Sequence, residues 1–342
     1  MSEDQEVNVL CIWQPNERLM KYLQDGLSNY PQVKLVVPPD LEEETLLKLA
    51  PDADILMGWR PTKDLLKTAK KTRLFINPGA GVQHLIPIFK EVTVNRELTL
   101  VNGHGNCYFT AQHVVALLLA LMNKVIRHHN WMVEGHWRRG DSFAQSIPLR
   151  GKKIGLLGYG AVNRLVHKFL AGFDIDFSIL RRDWSKQQTE LPTSATKYTF
   201  DDLDDFLREI DILIVATPLT SKTEGLIQEQ ELEILGEEGL VVNIGRGPII
   251  DEKSFYYSLK ERKIAGAAID VWYDYQPEED VDGKKYPAKY PFYDLDNVVL
   301  SPHRGASPMN DLKRWDEQIE NIIRFARGRK DFLNVVNLDE GY

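Results

Sequence analysis

Cysteine is scarce in this chain of 342 residues, with Cys11 and Cys107 the only two. Two thiols make no disulfide framework, which excludes a small stapled secreted scaffold and fits a reducing compartment, the cytoplasm. An excess of positive charge is also lacking. Lysine and arginine number 42 against 50 aspartates and glutamates, a net charge of −8. No basic stripe is visible, so no nucleic-acid partner is expected. The most apolar run, HVVALLLALMNKVI (113–126), is short and broken by Asn123 and Lys124. It reads as a buried helix, and no membrane association is expected. The opening MSEDQEVNVLCIW is acidic and enters a strand-like run, unlike a signal peptide. Metal spacing is missing too. The eight histidines form no H-E-x-x-H, and His104 and Cys107 have no further ligands nearby in sequence, so no metal is expected.

Hydrophobic residues make up 43% of the chain, enough for real cores, and the length suggests two domains. In the first third, short β-rich runs (VNVLCIW, VKLVVP, ADILMGW, TRLFIN) alternate with amphipathic stretches. Such alternation implies an α/β fold with a parallel sheet covered on both faces. A long helix is expected from about Thr110 to Val125, and a second αβ series begins at Lys152. Its runs KKIGLLG, DILIVATP, GLVVNIG, IAGAAIDVW and NVVLSPH are continuously apolar, as buried parallel strands require. The polar, Pro-rich segment 274–294 reads as a surface loop at the mouth of a site.

GLLGYGAVNRLV (155–166) carries Gly158 and Gly160 at the spacing of the first two glycines of G-x-G-x-x-G, with a strand before and a helix after. The first permits a tight turn. The second lets backbone approach a pyrophosphate at the helix N-terminus, where Ala161 and Val162 open the helix. Asn163 stands where the third glycine is expected, a cost to helix–strand packing more than to phosphate contact. At the end of the next strand, ILRRD places Arg181 and Arg182 where an acid would bind ribose hydroxyls. Two guanidinium groups suit a 2′-phosphate, hence NADP, with NAD still open if Asp183 or Asp176 serves the ribose.

Taken in order, NPGAGVQHL (77–85), TAQHVVALLLAL (110–121), GLLGYG, ATPLTSKTEGLI (216–227), NIGRGPIIDEKSF (243–255), GAAIDVW (266–272) and SPHRGA (301–306) resemble the D-isomer-specific 2-hydroxyacid dehydrogenases, a family that includes the formate and glycerate dehydrogenases. The resemblance implies two Rossmann-like parallel-sheet domains with the active site in the cleft between them. The substrate domain would be 1–109 plus 306–342, and the dinucleotide-binding domain 110–305. It implies hydride transfer between a nicotinamide cofactor and a small 2-oxo or 2-hydroxy acid, in a homodimer joined through the cofactor domain. Arg246 would bind the carboxylate and polarise the carbonyl, His303 would exchange the proton, and Asp270 would hold the nicotinamide carboxamide. Gly79, Ala80 and Gly81 would offer N–H groups to the carboxylate, while Thr217, Pro218, Ile244 and Gly305 would line the cofactor. The chemistry asks for the same residue types: a guanidinium clamps a planar carboxylate and stabilises an oxyanion, and an imidazole titrates near neutrality.

The chain departs from that pattern after Asp270. Family members place a glutamate five residues on, before a proline, to pair with the histidine. DVWYDYQP has Tyr275 five on and Gln276 before the proline. Gln276 is the expected partner of His303, with Tyr275 and Asp274 as competitors. Formate dehydrogenases also have glutamine there, and Asn106 sits in register with their formate-binding asparagine. A formate dehydrogenase-like enzyme is therefore one alternative, though Arg181 and the Arg304-Gly305 continuation differ from those enzymes. Arg304 suits a second anionic group on the substrate or the cofactor phosphates. The other alternative is a dinucleotide-sensing corepressor-type binding protein, against which stands the short ending LNVVNLDEGY.

Overall fold

The computed structural model describes residues 6–137, 145–185, 190–308 and 310–342. The chain forms two compact units, one of Met1–Asn106 with Pro308–Tyr342 and one of Cys107–Ser307.

The first unit is built on a five-stranded parallel sheet. Its strands are β1 (Val7–Cys11), β2 (Val33–Val36), β3 (Ile55–Met57), β4 (Leu74–Asn77) and β5 (Thr99–Asn102), in the order β2-β1-β3-β4-β5. Alternate residues of each strand feed two different cores, since successive side chains point to opposite faces. Val7, Val9, Ile55, Met57, Leu74 and Ile76 pack with α1 (Glu17–Gly26) and α11 (Asp316–Ala326). Leu10, Leu56 and Phe75 pack with α3 (Lys63–Thr68) and α4 (Ile86–Val92). This double burial is why the strands read as continuous apolar runs.

The second unit has seven parallel strands in the order β12-β11-β10-β9-β6-β7-β8. They are β6 (Lys153–Leu157), β7 (Asp176–Leu180), β8 (Ala195–Tyr198), β9 (Ile212–Val215), β10 (Leu240–Asn243), β11 (Gly266–Ile269) and β12 (Val298–Leu300). On one face Ile154, Leu156, Ile212 and Ile214 meet α5 (Cys107–Met122) and α7 (Ala161–Leu170). On the other, Leu157, Leu213 and Val215 meet α8 (Leu203–Arg208), α9 (Glu229–Leu235) and α10 (Glu252–Lys260). Truncating any one of these fully buried leucines to alanine costs about 2–5 kcal/mol. Strand order reverses between β6 and β9, the topological switch point at which open α/β sheets bind ligands.

Three expectations change. The long helix starts at Cys107 and ends at Met122, because Lys124 adopts a left-handed conformation (φ 51°) and a separate helix α6 (Val125–Val133) follows. The strand β8, ATKY, was invisible in sequence because its side chains are largely polar and it lies at the sheet edge. The segment 274–294 is not simply a surface loop, since Ala288, Tyr290 and Phe292 pack on the core and Tyr286 stacks on Tyr293 at 3.9 Å.

Helix α7 buries an unusual polar residue, His167, with no exposed surface. Its Nδ1 bonds the Tyr159 hydroxyl (2.8 Å), its Nε2 the Thr193 hydroxyl (2.8 Å), and its ring lies 4.0 Å from Phe177. Burial pushes this imidazole down to about 4. The unfolded chain, with a histidine near 6.5, binds more protons than the fold between those values. Stability from this site is therefore whole above about pH 6.5 and falls as pH drops toward 4, by up to about 3 kcal/mol. Melting temperatures of wild type and His167→Gln from pH 7.5 to 4.5 check this: the wild type should lose more stability over that range than the variant.

Candidate active site

The glycine turn follows β6 at the switch point. Gly158 has φ +82°, and a Cβ there would lie 2.6 Å from Thr217 Cγ2, so only glycine fits. A Cβ on Gly160 would meet nothing within 4 Å, which leaves open space where a phosphate approaches the start of α7. Asn163 does not merely substitute for a packing glycine. It is fully buried, and its amide Nδ2 donates to the Gly158 carbonyl at 2.7 Å. With the Tyr159–His167 bond, two residues one helical turn apart on α7 hold both halves of the turn. Thr217, just past β9, has a buried hydroxyl with no hydrogen-bond partner among the described residues. Ala161 and Val162 open α7, Pro218 follows Thr217, and Ile244 follows β10. The open cradle and the orphaned hydroxyl fit a dinucleotide.

Arg181 and Arg182 follow β7 directly. The Arg181 guanidinium lies 5.4 Å from the centre of the Trp184 ring, and the Lys197 ammonium lies 4.8 Å from the same centre. Trp184 is fixed by its Nε1–H donating to the Tyr198 carbonyl at 2.9 Å. Asp183 Oδ1 accepts from the Ser185 N–H and hydroxyl in a local turn. Among the described ion pairs neither Arg181 nor Lys197 has a carboxylate partner. Two cations over one indole repel each other and favour an anion beside them. Lys197 and Trp184 were not legible as site residues, because Lys197 reaches this position only through the β7–β8 register, Ile179 opposite Lys197.

Arg246 lies on the loop after β10. Asn243 shapes that loop by accepting from Gly245 N–H and donating to the Arg246 carbonyl. A Cβ on Gly247 would sit 2.4 Å from the Trp272 carbonyl oxygen, so glycine lets the two loops touch. Arg246 Nη1 donates to the Gly245 carbonyl at 2.6 Å, and burial lowers the guanidinium's affinity for its proton. His303 follows β12 in a left-handed conformation, φ 55°. Asp270, 2% exposed at the end of β11, holds the turn that His303 begins. Its Oδ1 accepts from the Ser301 hydroxyl (2.5 Å) and Arg304 N–H (2.6 Å), and its Oδ2 from Gly305 N–H (2.9 Å). A Cβ on Gly305 would lie 3.0 Å from Oδ2, a tight contact that glycine avoids. His113 of α5 bonds Ser301 Oγ at 2.9 Å and lies 3.4 Å from Asp270 Oδ1.

The expected partner of His303 is corrected. Gln276 is exposed, and its one hydrogen bond among those described runs from its backbone N–H to Asp274 Oδ1. The Tyr275 ring is the group facing His303, edge-on at 5.3 Å between centroids. Burial holds the His303 imidazole below its usual value and Arg246 lowers it further, while Asp270 pulls the other way.

In the first unit, Gly79, Ala80 and Gly81 follow β4. Asn77 Nδ2 donates to the carbonyls of Gly79 and Gly81, and Asn102 Nδ2 to that of Ala80 at 2.8 Å. With the carbonyls tied back to side chains, the three N–H groups make no protein hydrogen bond among those described. Successive open N–H groups on a turn are the kind that can bind an anion. Asn106 lies in the turn before α5.

Residues 115–305 match the family described as D-isomer specific 2-hydroxyacid dehydrogenase, NAD binding domain. The chain is 30% identical over 301 residues to a glyoxylate reductase of Pyrococcus horikoshii, covering 84% of each protein. Two solved structures share its fold at about 20% identity. One is a D-isomer specific 2-hydroxyacid dehydrogenase from Xanthobacter autotrophicus in complex with NADPH and MES, TM-score 0.77, covering 99% of this chain and 100% of that one. The other is an NADPH-dependent glyoxylate/hydroxypyruvate reductase from Sinorhizobium meliloti with NADP and malonate, TM-score 0.73, covering 98% of each.

Replacing Asp270 with asparagine puts an N–H₂ against a hydroxyl or backbone N–H that now donates to it. The variant should lose about 1–3 kcal/mol in urea unfolding. It should also lower the His303 titration, followed by imidazole NMR, because the supporting negative charge is gone. An unchanged titration would remove Asp270 from the electrostatics of the histidine.

Proposed function

This chain belongs to the D-isomer specific 2-hydroxyacid dehydrogenase family, and from that premise we propose that it is a 2-oxo-acid reductase preferring NADPH to NADH. The observation that carries the reading is the pair of Arg246 and His303: a half-buried guanidinium whose charge depresses the proton affinity of the imidazole, on loops at the carboxyl ends of β10 and β12, the two strands that flank β11 and its Asp270. Bound NADPH supplies the hydride. Arg246 stabilises the negative charge that grows on the carbonyl oxygen, in a site where burial strengthens the interaction. His303, protonated, donates to that oxygen as it becomes a hydroxyl. The turn of Gly79, Ala80 and Gly81 takes the carboxylate, and Asn106 is placed beside the substrate by the family likeness. Asp270 Oδ2 accepts one hydrogen bond from the loop and keeps a lone pair for the nicotinamide carboxamide. The glycine turn with Ala161 and Val162, together with Thr217, Pro218, Ile244 and Gly305, holds the dinucleotide. Arg181, Arg182 and Lys197 bind its 2′-phosphate.

Support for a homodimer comes from α6 and the residue beyond it. Val125, Ile126, Met132, Val133 and Trp137 are each between 46% and 73% exposed, an apolar series that a second copy of this chain would cover. Ile126→Glu should halve the mass seen in sedimentation velocity. Cys11 and Cys107, both buried and neither in a disulfide, support a reducing, cytoplasmic setting.

NADPH consumption with a panel of 2-oxo acids tests the activity. For the cofactor, Arg181→Asp and Lys197→Glu should each weaken NADPH binding by roughly tenfold or more, the worth of a charge-assisted bond, and leave NADH binding equal or tighter. Titration with 2′,5′-ADP and with 5′-AMP measures this directly. Equal binding of both nucleotides by wild type would sink the 2′-phosphate assignment.

The reaction should also fade with pH in a particular way. Reduction needs the imidazolium, and the His303 pKa lies below its ordinary 6.5. The kcat/KM for reduction should therefore fall as pH rises through a limb below 6.5. Tyr275→Glu places a carboxylate at the ring and should move that limb up by about one pH unit. Gln276→Glu should leave it in place. A limb that moves only with Gln276→Glu would restore glutamine as the partner.

A further inference from the structure

Helix α7 turns one polar side chain into the core that the chemistry above does not use. His167 sits on the buried face of the helix beside Val166 and Leu170. Its ring nitrogens bond neither the helix nor the sheet. Nδ1 pairs with the Tyr159 hydroxyl and Nε2 with the Thr193 hydroxyl, each at 2.8 Å. The proton positions follow from the partners. The other contact of the Thr193 hydroxyl among the described bonds is the Ser194 carbonyl, which only accepts. Thr193 therefore donates there and accepts from Nε2–H, which leaves Nδ1 to accept from the Tyr159 hydroxyl. Burial pushes the Tyr159 phenol up to about 12 and the imidazole down to about 4. Near neutral pH the series Tyr159, His167, Thr193 is uncharged and its hydrogen bonds run in one direction.

Each end of that series reaches a place that the cofactor reading needs. Tyr159 stands between Gly158 and Gly160, the residue type with the least restricted backbone. Its bond to His167 ties the middle of the glycine turn to α7. Thr193 lies two residues before β8, an edge strand paired on one side only. The His167 ring lies 4.0 Å from that of Phe177, and Phe177 pairs with Ala195, so the imidazole covers the start of the β7–β8 pairing. Two residues further along β8, Lys197 reaches the Trp184 ring, and the Tyr198 carbonyl holds that indole. One imidazole thus links the turn that faces a pyrophosphate to the strand that carries a cation for the 2′-phosphate. A core filler needs no such group, since a leucine would bury apolar surface there without desolvating two ring nitrogens.

We infer that His167 is a positioning residue for the cofactor, coupling the glycine turn to β8 so that the pyrophosphate and 2′-phosphate contacts of NADPH form together. This rests on the NADPH reading above and adds a linkage between two parts of one site. Tyr159 and Thr193 share no bond with each other among those described, so coupling between them passes through the imidazole.

The test is a double-mutant cycle on NADPH binding, read by nicotinamide fluorescence near neutral pH, with wild type, Tyr159→Phe, Thr193→Val and the double variant, and with His167→Leu beside them. Each single variant should weaken NADPH binding about fivefold, near the strength of one hydrogen bond. The double variant should also weaken it about fivefold and not the roughly twenty-fivefold of independent sites, because breaking either end disables the same link. His167→Leu should match that loss. With NADH, which lacks the 2′-phosphate, Thr193→Val should cost less than about twofold, a selectivity that a packing defect would not show. Where His167→Leu does not fold, as its melting temperature shows, the cycle and the NADH comparison decide. The inference is overturned by any of three results: a double-variant loss equal to the product of the single losses, a Thr193→Val loss as large for NADH as for NADPH, or wild-type NADPH affinity in folded His167→Leu. Each of these leaves the NADPH reading intact. Wild type that fails to bind NADPH overturns that reading and this inference with it.

Discussion

One buried carboxylate holds the reacting end of the second unit together. Asp270 is almost wholly removed from water, yet stays ionised because a hydroxyl, two backbone N–H groups and His113 satisfy it. The hydroxyl and the two backbone N–H groups belong to the turn around His303, whose left-handed backbone is otherwise unfavourable for a side chain of that size. The same negative charge partly offsets the burial and the neighbouring guanidinium that depress the histidine. Structure and proton affinity at His303 therefore depend on one group. Removing that group leaves several buried donors without acceptors at once, a heavier loss than any single bond.

The nucleotide side is organised on the same principle, with polar side chains holding backbone in shape. Where a third glycine would let helix and strand close up, Asn163 spans the gap and bonds the turn. His167, one helical turn further, bonds Tyr159 from within the same layer. The turn after β4 in the first unit repeats the device, with Asn77 and Asn102 drawing carbonyls inward. In each place an amide or imidazole is spent on shaping a loop. At the end of β7 two cations share one indole, which suits a phosphate.

Much of this was readable before any coordinates. Continuous apolar runs required parallel strands buried on both faces, and Gly158, Gly160, Arg246 and His303 each stand directly after such a run, where a strand's carboxyl end must be. These are local facts: periodicity and punctuation travel with the chain. What the tertiary structure alone decided depends on register and packing. Lys197 joins Arg181 because a polar edge strand pairs with β7, and no local pattern marks that strand. Tyr275 rather than Gln276 faces His303, which the path of the loop decides. His113 serves Asp270 and not merely the helix core. Residue types set which chemistry was available, and non-local pairing set which of those residues could act together.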